Sequence, residues 1–345
     1  MTTDPQITPD ELVARARALI PALRARQEET EETRLIPRES IEEMKAAGLY
    51  KVQQPSHYGG YEMGLDTFVR VGIEIASGCG STGWVFNTGA QHQWQLGMYP
   101  PKAQDEVWKA RPDALTGSSY APTGTAVATE GGWRLNGRWS FCSGVDHCQW
   151  MIIGVQMADT EGAEPTGTGF ALVPSNDYRI VPNWDVLGLV GTGSNDIVLK
   201  DVFLPSHRLL TREEALSGTP PGIEVNSGDL FKIPFFAAIS TCLCTSILGM
   251  AQGALDDYVE DVGIRITRGA AISAPTSMSQ FQTIQLRVGE AAAAIDAGQQ
   301  LVLRDCRETM AVMASGRPLT EAERARNKGD LVFAARLSVR AADLL

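Results

Sequence analysis

The chain has 345 residues, 43% of them hydrophobic and 21% charged, which is typical of a soluble globular protein and excludes disordered and fibrous classes. Its 30 basic and 41 acidic side chains give a net charge of −11, which repels phosphate backbones and argues against a nucleic-acid partner. The N-terminal sequence MTTDPQITPDELVARARAL has early acidic residues and no apolar core, unlike a signal or transit peptide, so we expect the cytoplasm.

The cysteines form no C-x-x-C pair, and only four histidines are available to complete a metal shell, so the sequence argues against structural zinc. Cysteines spread over a chain of this length indicate buried thiols in a reducing compartment rather than a disulfide framework. The six are Cys79, Cys142, Cys148, Cys242, Cys244 and Cys306.

The first hundred or so residues have the pattern of helices. Apolar residues recur at helical spacing over residues 10–33, which predicts a surface helix. A short helix follows Pro37 and ends at Gly48, where we expect a left-handed backbone. Residues 65–108 again have a helical pattern, in two or three pieces.

Short β-like runs separated by Gly, Pro, Asn and Asp then predict a β-barrel or sandwich. The runs are residues 115–120, 125–129, 133–141, 150–157, 169–173, 178–181 and 196–203. Long helical stretches return at residues 230–268, 276–314 and 320–345. We therefore predict three domains: an N-terminal helical domain (1–112), a β-domain (113–217) and a C-terminal helical bundle (218–345).

Residues 233–255 carry no charge over a length that could cross a bilayer. The stretch contains Ser, Thr, Gln and Gly throughout and stands alone in the chain. We therefore expect a helix buried in a bundle or subunit interface, and no membrane partner.

The sequence has no G-x-G-x-x-G, G-x-x-x-x-G-K-[ST] or G-x-S-x-G motif, so redox chemistry requires a cofactor held by another fold. The order of helices, β-domain and helices resembles the acyl-CoA dehydrogenase superfamily. The resemblance includes Gly48-Leu49, Pro55 and the Tyr-Gly-Gly at 58–60, which precede a long helix. That resemblance implies an α+β fold with N-terminal helices, a central β-barrel or sandwich and a C-terminal helix bundle.

Residues 141–150, FCSGVDHCQW, resemble the S-G-x-D-H-x-x-W signature of the two-component flavin-dependent monooxygenases. The Gly-Trp pair at 83–84 leading to His92, and GTGSND at 191–196, also resemble that branch. Residues 115–122, LTGSSYAP, differ from the T-E-P-x-x-G-S-D-like loop typical of acyl-CoA dehydrogenases.

By this resemblance, the protein takes reduced FMN or FAD from a separate NAD(P)H-dependent flavin reductase. It forms a flavin hydroperoxide with O2, hydroxylates an aromatic, often phenolic, substrate, and assembles as a homotetramer. The family usually continues through a fourth bundle helix and a tail with a second active-site histidine, whereas this chain stops inside an apparent helix. We expect either a truncated sequence or an enzyme without that half-site. The sequence leaves open the individual substrate, FMN or FAD, and carbon hydroxylation or nitrogen or sulfur oxidation.

Three residues match the substrate side of the family site. Transfer of oxygen to a phenol is faster when a base takes or shares the hydroxyl proton, and His92 matches the family histidine at that hydroxyl. Ser118 matches a serine that shares the contact, and Trp84 matches an aromatic wall of the pocket. The alternatives are a hydrogen-bonded core histidine, a strand serine and a core tryptophan.

Two further residues match positions beside the flavin ring. Ser143 matches the residue whose hydrogen bond to the ring nitrogen beside the peroxide-bearing carbon delays loss of peroxide; the alternative is a turn serine. Trp139 lies where the wider superfamily places a tryptophan against the flavin, or on an inward strand face. His147, within the signature, is as readily structural as catalytic.

Thr192, Gly193 and Ser194 match a loop that holds flavin phosphate or ring oxygens, or form a plain turn. Arg265 or Arg268 matches an arginine that contacts the flavin phosphate. The alternative is that these side chains compensate the partial negative charge of a helix C-terminus. Two other functions remain open: an acyl-CoA dehydrogenase-type FAD enzyme, and a catalytically silent paralogue or assembly scaffold.

Overall fold

The computed structural model describes residues 7–267 and 275–345. Six helices precede the sheet: α1 (Pro9–Ala25), α2 (Gln27–Thr33), α3 (Arg38–Ala46), α4 (Leu65–Gly78), α5 (Gly80–Leu96) and α6 (Pro101–Trp108). The helix predicted over residues 10–33 is two helices, because the backbone leaves helical geometry at Arg26. Gly48 has φ of 75°, so the predicted left-handed turn after α3 is confirmed.

Seven strands follow and form one sheet in the spatial order β5-β6-β2-β1-β3-β4-β7. They are β1 (Thr116–Thr129), β2 (Gly132–Trp139), β3 (Trp150–Ala158), β4 (Gly167–Pro174), β5 (Arg179–Val181), β6 (Asp196–Pro205) and β7 (Leu209–Thr211). β1 and β3 pair in parallel, and the other neighbours pair antiparallel. The mixed α+β class is confirmed, with the β layer as a single seven-stranded sheet.

Two details of the sheet differ from the sequence prediction. The runs at residues 115–120 and 125–129 belong to one strand, β1, whose pairing with β3 shifts register between Ser119 and Gly124. The short edge strand β7 was not predicted, because three residues carry no periodic signal.

The remaining helices are α7 (Arg212–Leu216), α8 (Phe235–Ala238), α9 (Thr241–Ile264), α10 (Gln282–Ala314) and α11 (Glu321–Leu344). α9 packs against α4, α5, α10 and α11. The segment Phe235–Ile264 is long and apolar enough to span a bilayer, but 61% of its most apolar window is buried inside the fold, as expected for a core helix.

Both faces of the sheet are buried. On β3, Ile152 packs into the larger core with the N-terminal helices, whereas Met151 and Ile153 pack into a second core on the opposite face. α5 contacts α4 and α9 on the helical side and β1 of the sheet. This position lets one helix carry side chains to the junction of the helical and β layers.

We expect Gly249→Ala on α9 to lower the free energy of unfolding by roughly 1–3 kcal/mol. A Cβ at Gly249 would lie 2.4 Å from the Ala76 Cβ and 2.7 Å from the Ile73 carbonyl oxygen on α4, so the helices would have to separate. The matched control on the same helix is Gly263→Ala, where no atom lies within 4 Å; it should raise stability by about 0.5–1 kcal/mol. Urea unfolding followed by circular dichroism measures both, and equal effects would contradict close packing of α4 on α9.

Candidate active site

A cavity of about 420 Å³ lies where α5, β1, the turn after β2 and the α8–α9 segment meet. Trp84, Thr88 and His92 line it from one face of α5, because residues four apart share a helix face. Thr88 was not singled out from the sequence, although its spacing between Trp84 and His92 carries the signal.

Gln91 fixes α5 against the opposite wall of this cavity. Its buried side-chain amide donates to the Ala238 carbonyl at 2.7 Å, and its Oε1 accepts from the Cys242 amide at 2.9 Å. Both partners lie in the α8–α9 segment, which supplies Phe235, Phe236 and Leu243 to the cavity wall, among other residues. The helix that carries His92 and the apolar wall are therefore tied to each other.

His92 is buried, and its Nδ1 lies 2.5 Å from the Thr116 carbonyl oxygen. Because a carbonyl only accepts, Nδ1 carries the ring proton and Nε2 presents a lone pair. Burial lowers the pKa of His92 to about 4, although the hydrogen bond to Thr116 raises it. At neutral pH His92 is therefore a neutral imidazole with a hydrogen-bond acceptor in the cavity lining.

This protonation state predicts how acid affects stability. The unfolded His92 side chain titrates near pH 6.5 and the folded one near pH 4, so between these values the unfolded chain binds more protons. The His92 contribution to the free energy of unfolding therefore falls as pH decreases from about 6.5 to 4. Urea unfolding at several pH values should show a smaller acid loss for His92→Gln than for the wild type. Identical pH dependence would contradict a neutral buried imidazole.

Tyr120 is a second pocket residue that the sequence did not single out. Its phenol donates to Gln95 Oε1 at 2.5 Å, and its ring meets His92 edge-on with centroids 6.1 Å apart. Phe235 packs edge-on against Tyr120 at 5.2 Å. Ser118 also lines the cavity. Burial raises the pKa of the Tyr120 phenol, and a hydrogen bond with the Ser118 side chain opposes this rise. His92 and Ser118 thus lie together beside aromatic walls.

Ser143 lies at the end of a chain of hydroxyl groups. Thr192 Oγ1 donates to the Leu189 carbonyl at 2.9 Å and lies 2.7 Å from Ser194 Oγ, which lies 2.8 Å from Ser143 Oγ. Since the Thr192 proton goes to Leu189, Ser194 donates to Thr192 and Ser143 donates to Ser194. The Trp84 indole N–H donates to Ser143 Oγ at 3.1 Å. Ser143 Oγ therefore keeps one free lone pair, and Ser143 lines the cavity.

Backbone hydrogen bonds join the two loops of this chain. The Gly144 amide donates to the Thr192 carbonyl at 2.8 Å, and the Cys142 amide donates to the Asn195 carbonyl at 3.1 Å. Gly193 between them has φ of 52°, which favours glycine. The segments at 141–150 and 191–196, distant in sequence, therefore form one structural unit beside the cavity.

Phe141 lines the cavity next to Ser143 and was missed by sequence reasoning. Its side chain is 71% exposed and its φ is +61°, an uncommon backbone state for an aromatic residue. Its ring meets Trp184 edge-on at 5.9 Å. An exposed aromatic held this way is available to cover a planar ligand.

Trp139, by contrast, is buried in the core on the sheet face that holds Met151, and its indole N–H donates to the Gly154 carbonyl at 2.7 Å. Trp139 therefore occupies an inward strand position and does not line the cavity, and its contact with the flavin stays a prediction. Arg265 pairs with Asp261 at 3.2 Å one turn back on α9, which matches the helix-terminus alternative. Arg268 lies outside the described residues.

The chain matches two families, described as Acyl-CoA dehydrogenase, N-terminal domain, over residues 10–110, and Acyl-CoA dehydrogenase, C-terminal domain, over residues 241–345. It is 40% identical over 302 residues to the FADH(2)-dependent resorcinol hydroxylase, oxygenase component, of Rhizobium sp. (strain MTP-10005), covering 87% of this chain and 74% of that protein.

Solved structures agree with that likeness. A 3-HSA hydroxylase from Rhodococcus sp. RHA1 has a TM-score of 0.91 and 35% identity, covering 97% of this chain and 85% of that one. XiaF from Streptomyces sp., in complex with FADH2 and glycerol, has a TM-score of 0.87 and 30% identity, covering 97% and 83%. The chain therefore belongs to the flavin-dependent monooxygenases with an acyl-CoA dehydrogenase-like fold.

Proposed function

We propose that the protein is the oxygenase component of a two-component monooxygenase that hydroxylates a phenolic substrate with reduced flavin and O2. The observation that carries the proposal is His92, whose fixed tautomer presents a lone pair in an aromatic-walled cavity that Ser143 also lines. A separate NAD(P)H-dependent flavin reductase supplies the flavin. The names of the relatives support FADH2 as the first flavin to test, with reduced FMN beside it.

The side chains in the cavity fit a flavin ring on one side and a phenol on the other. The free Ser143 lone pair accepts a hydrogen bond from a ring N–H, and Phe141 covers one edge of the ring. Thr192 and Ser194 are buried, and with Gly193 they hold the Ser143 loop, so we propose that they act on the flavin through Ser143. Bound reduced flavin supplies the electrons and, with O2, the oxygen atom that enters the substrate.

His92 Nε2 accepts a hydrogen bond from the phenol O–H. This polarises the O–H bond and raises the electron density of the substrate ring, which favours attack on an electrophilic oxygen. Ser118 holds the same substrate oxygen. Tyr120, Phe235 and Phe236 orient the ring and keep water from the reacting atoms. The cavity volume of about 420 Å³ lies within the usual range for small-molecule sites.

The proposal includes a homotetramer in the cytoplasm. Apolar side chains exposed on the C-terminal helices support assembly, among them Ile264, Val332, Phe333 and Val339. Light scattering at working concentration measures the assembly. The six cysteines are free, and burial raises the pKa of Cys142 to about 12, which suits inert thiols in a reducing compartment.

The test combines the protein, a flavin reductase, NADH and a panel of phenols that begins with resorcinol, under isotopic 18O2. We expect one heavy oxygen atom in the product, and none when either protein is omitted. Reduction of an artificial acceptor by an acyl thioester, without reductase, would instead support the dehydrogenase alternative. Failure of both reactions would support the silent scaffold.

A further inference from the structure

A second, much smaller cavity of about 10 Å³ lies on the far side of Ser143 and Thr88, which line both cavities. We call it the rear cavity. Its other lining residues include Tyr50 beside α3, Thr116 at the start of β1, and His147 in the signature turn. Its volume holds the centre of about one water molecule.

Three side chains of the rear cavity each end in a buried polar atom without a hydrogen-bond partner in the described chain. The atoms are Tyr50 Oη, Thr116 Oγ1 and His147 Nε2. Tyr50 and Thr116 are at least nine-tenths buried as whole residues. Such groups are almost always paired in folded proteins, because an unpaired buried group loses its hydration without compensation. Their convergence on one cavity requires an explanation.

The hydrogen-bonding capacities of the three groups are complementary to one water. Burial lowers the pKa of His147, and its ring makes a hydrogen bond to the Ile36 backbone. A neutral ring that donates to a carbonyl through Nδ1 presents an acceptor at Nε2. The Tyr50 and Thr116 hydroxyls each donate or accept. A water can donate to His147 and bond to both hydroxyls, which gives the three bonds typical of buried waters.

We propose that the rear cavity binds one ordered water through Tyr50, Thr116 and His147. This water joins three elements: the turn after α3, strand β1 and the Ser143–His147 turn. It thereby provides the role of His147 that the sequence left open.

The consequence for catalysis rests on the proposed function, whereas the water site itself does not. Thr116 supplies the carbonyl that fixes His92, and Ser143 lies four residues before His147 in one turn. The water links these two segments from behind the main cavity. Tyr50 and His147 are therefore positioning residues, which act through His92 and Ser143 without contacting substrate.

A crystal structure of the full chain tests the site directly. We expect an electron-density peak within hydrogen-bond distance of Tyr50 Oη, Thr116 Oγ1 and His147 Nε2. The double variant Tyr50→Phe/Thr116→Val removes two partners with little change in volume, and should lose the peak. An empty rear cavity in the wild type, at a resolution that shows other buried waters, overturns the proposal.

The positioning role is tested by the fraction of consumed O2 that appears as hydrogen peroxide during phenol turnover. We expect this fraction to rise about fivefold in the double variant, with the KM for reduced flavin unchanged. Tyr178→Phe is the matched control, because its buried hydroxyl also lacks a partner but does not line the rear cavity. A lost water with an unchanged peroxide fraction overturns the positioning role. If the double variant does not fold, Tyr50→Phe alone is measured in both assays.

Failure of the proposed function is distinguishable from failure of this inference. Even if the protein hydroxylates no phenol, its crystal structure reveals whether the water is present in the rear cavity. The wild-type density therefore decides the water site independently of any activity.

Discussion

His92→Gln is expected to lower kcat for phenol hydroxylation by about 100-fold, the smaller end of the range for loss of a general base. Glutamine has a similar volume and can still donate to the Thr116 carbonyl, so the fold should be retained. It has no basic lone pair for the phenol proton. The KM for reduced flavin should not change, because His92 contacts the substrate in the proposed site.

Steady-state turnover of the phenol with the flavin reductase and NADH, with product quantified over time, measures this loss. His207→Gln is the control: this histidine pairs with Glu106 at 2.8 Å, outside the cavity. It should retain wild-type product yield. Unchanged kcat in His92→Gln would place the base elsewhere.

Ser143→Ala is expected to release hydrogen peroxide about tenfold faster than the wild type when reduced flavin and O2 react without phenol. The variant removes the acceptor that holds the flavin N–H, and this hydrogen bond is made without any phenol. His92→Gln should leave the phenol-free rate unchanged. The two variants thus separate the flavin side of the cavity from the substrate side.

Peroxide is measured in the same samples as flavin reoxidation. Ser175→Ala, at an exposed serine in the turn after β4, is the matched control and should behave as the wild type. Ser143→Ala also leaves the Trp84 indole N–H without its partner, so thermal unfolding is recorded beside the kinetics. A phenol-free peroxide rate equal to the wild type would refute the proposed role of Ser143.

Local sequence pattern predicted much of the fold, because the signals for helices and their ends lie within a few neighbouring residues. Apolar spacing located the helices of both helical regions, and Gly48 marked the end of α3. The same reasoning failed at β1, since the shift between Ser119 and Gly124 depends on pairing with β3. Sequence reasoning also did not single out Phe141, which follows the end of β2 and lines the cavity, because its position depends on the turn after that strand.

The sequence by itself determined the composition class, the order of a helical region, a β-region and a second helical region, and the motifs that led to His92, Ser118 and Ser143. Only the tertiary structure decided the chemical state of these groups. The His92 tautomer depends on a carbonyl 24 residues away, and the Ser143 proton is directed by Ser194, 51 residues away. The physical reason is that hydrogen-bond direction and desolvation depend on which groups the fold brings within about 3 Å, and residue spacing along the chain does not specify those partners.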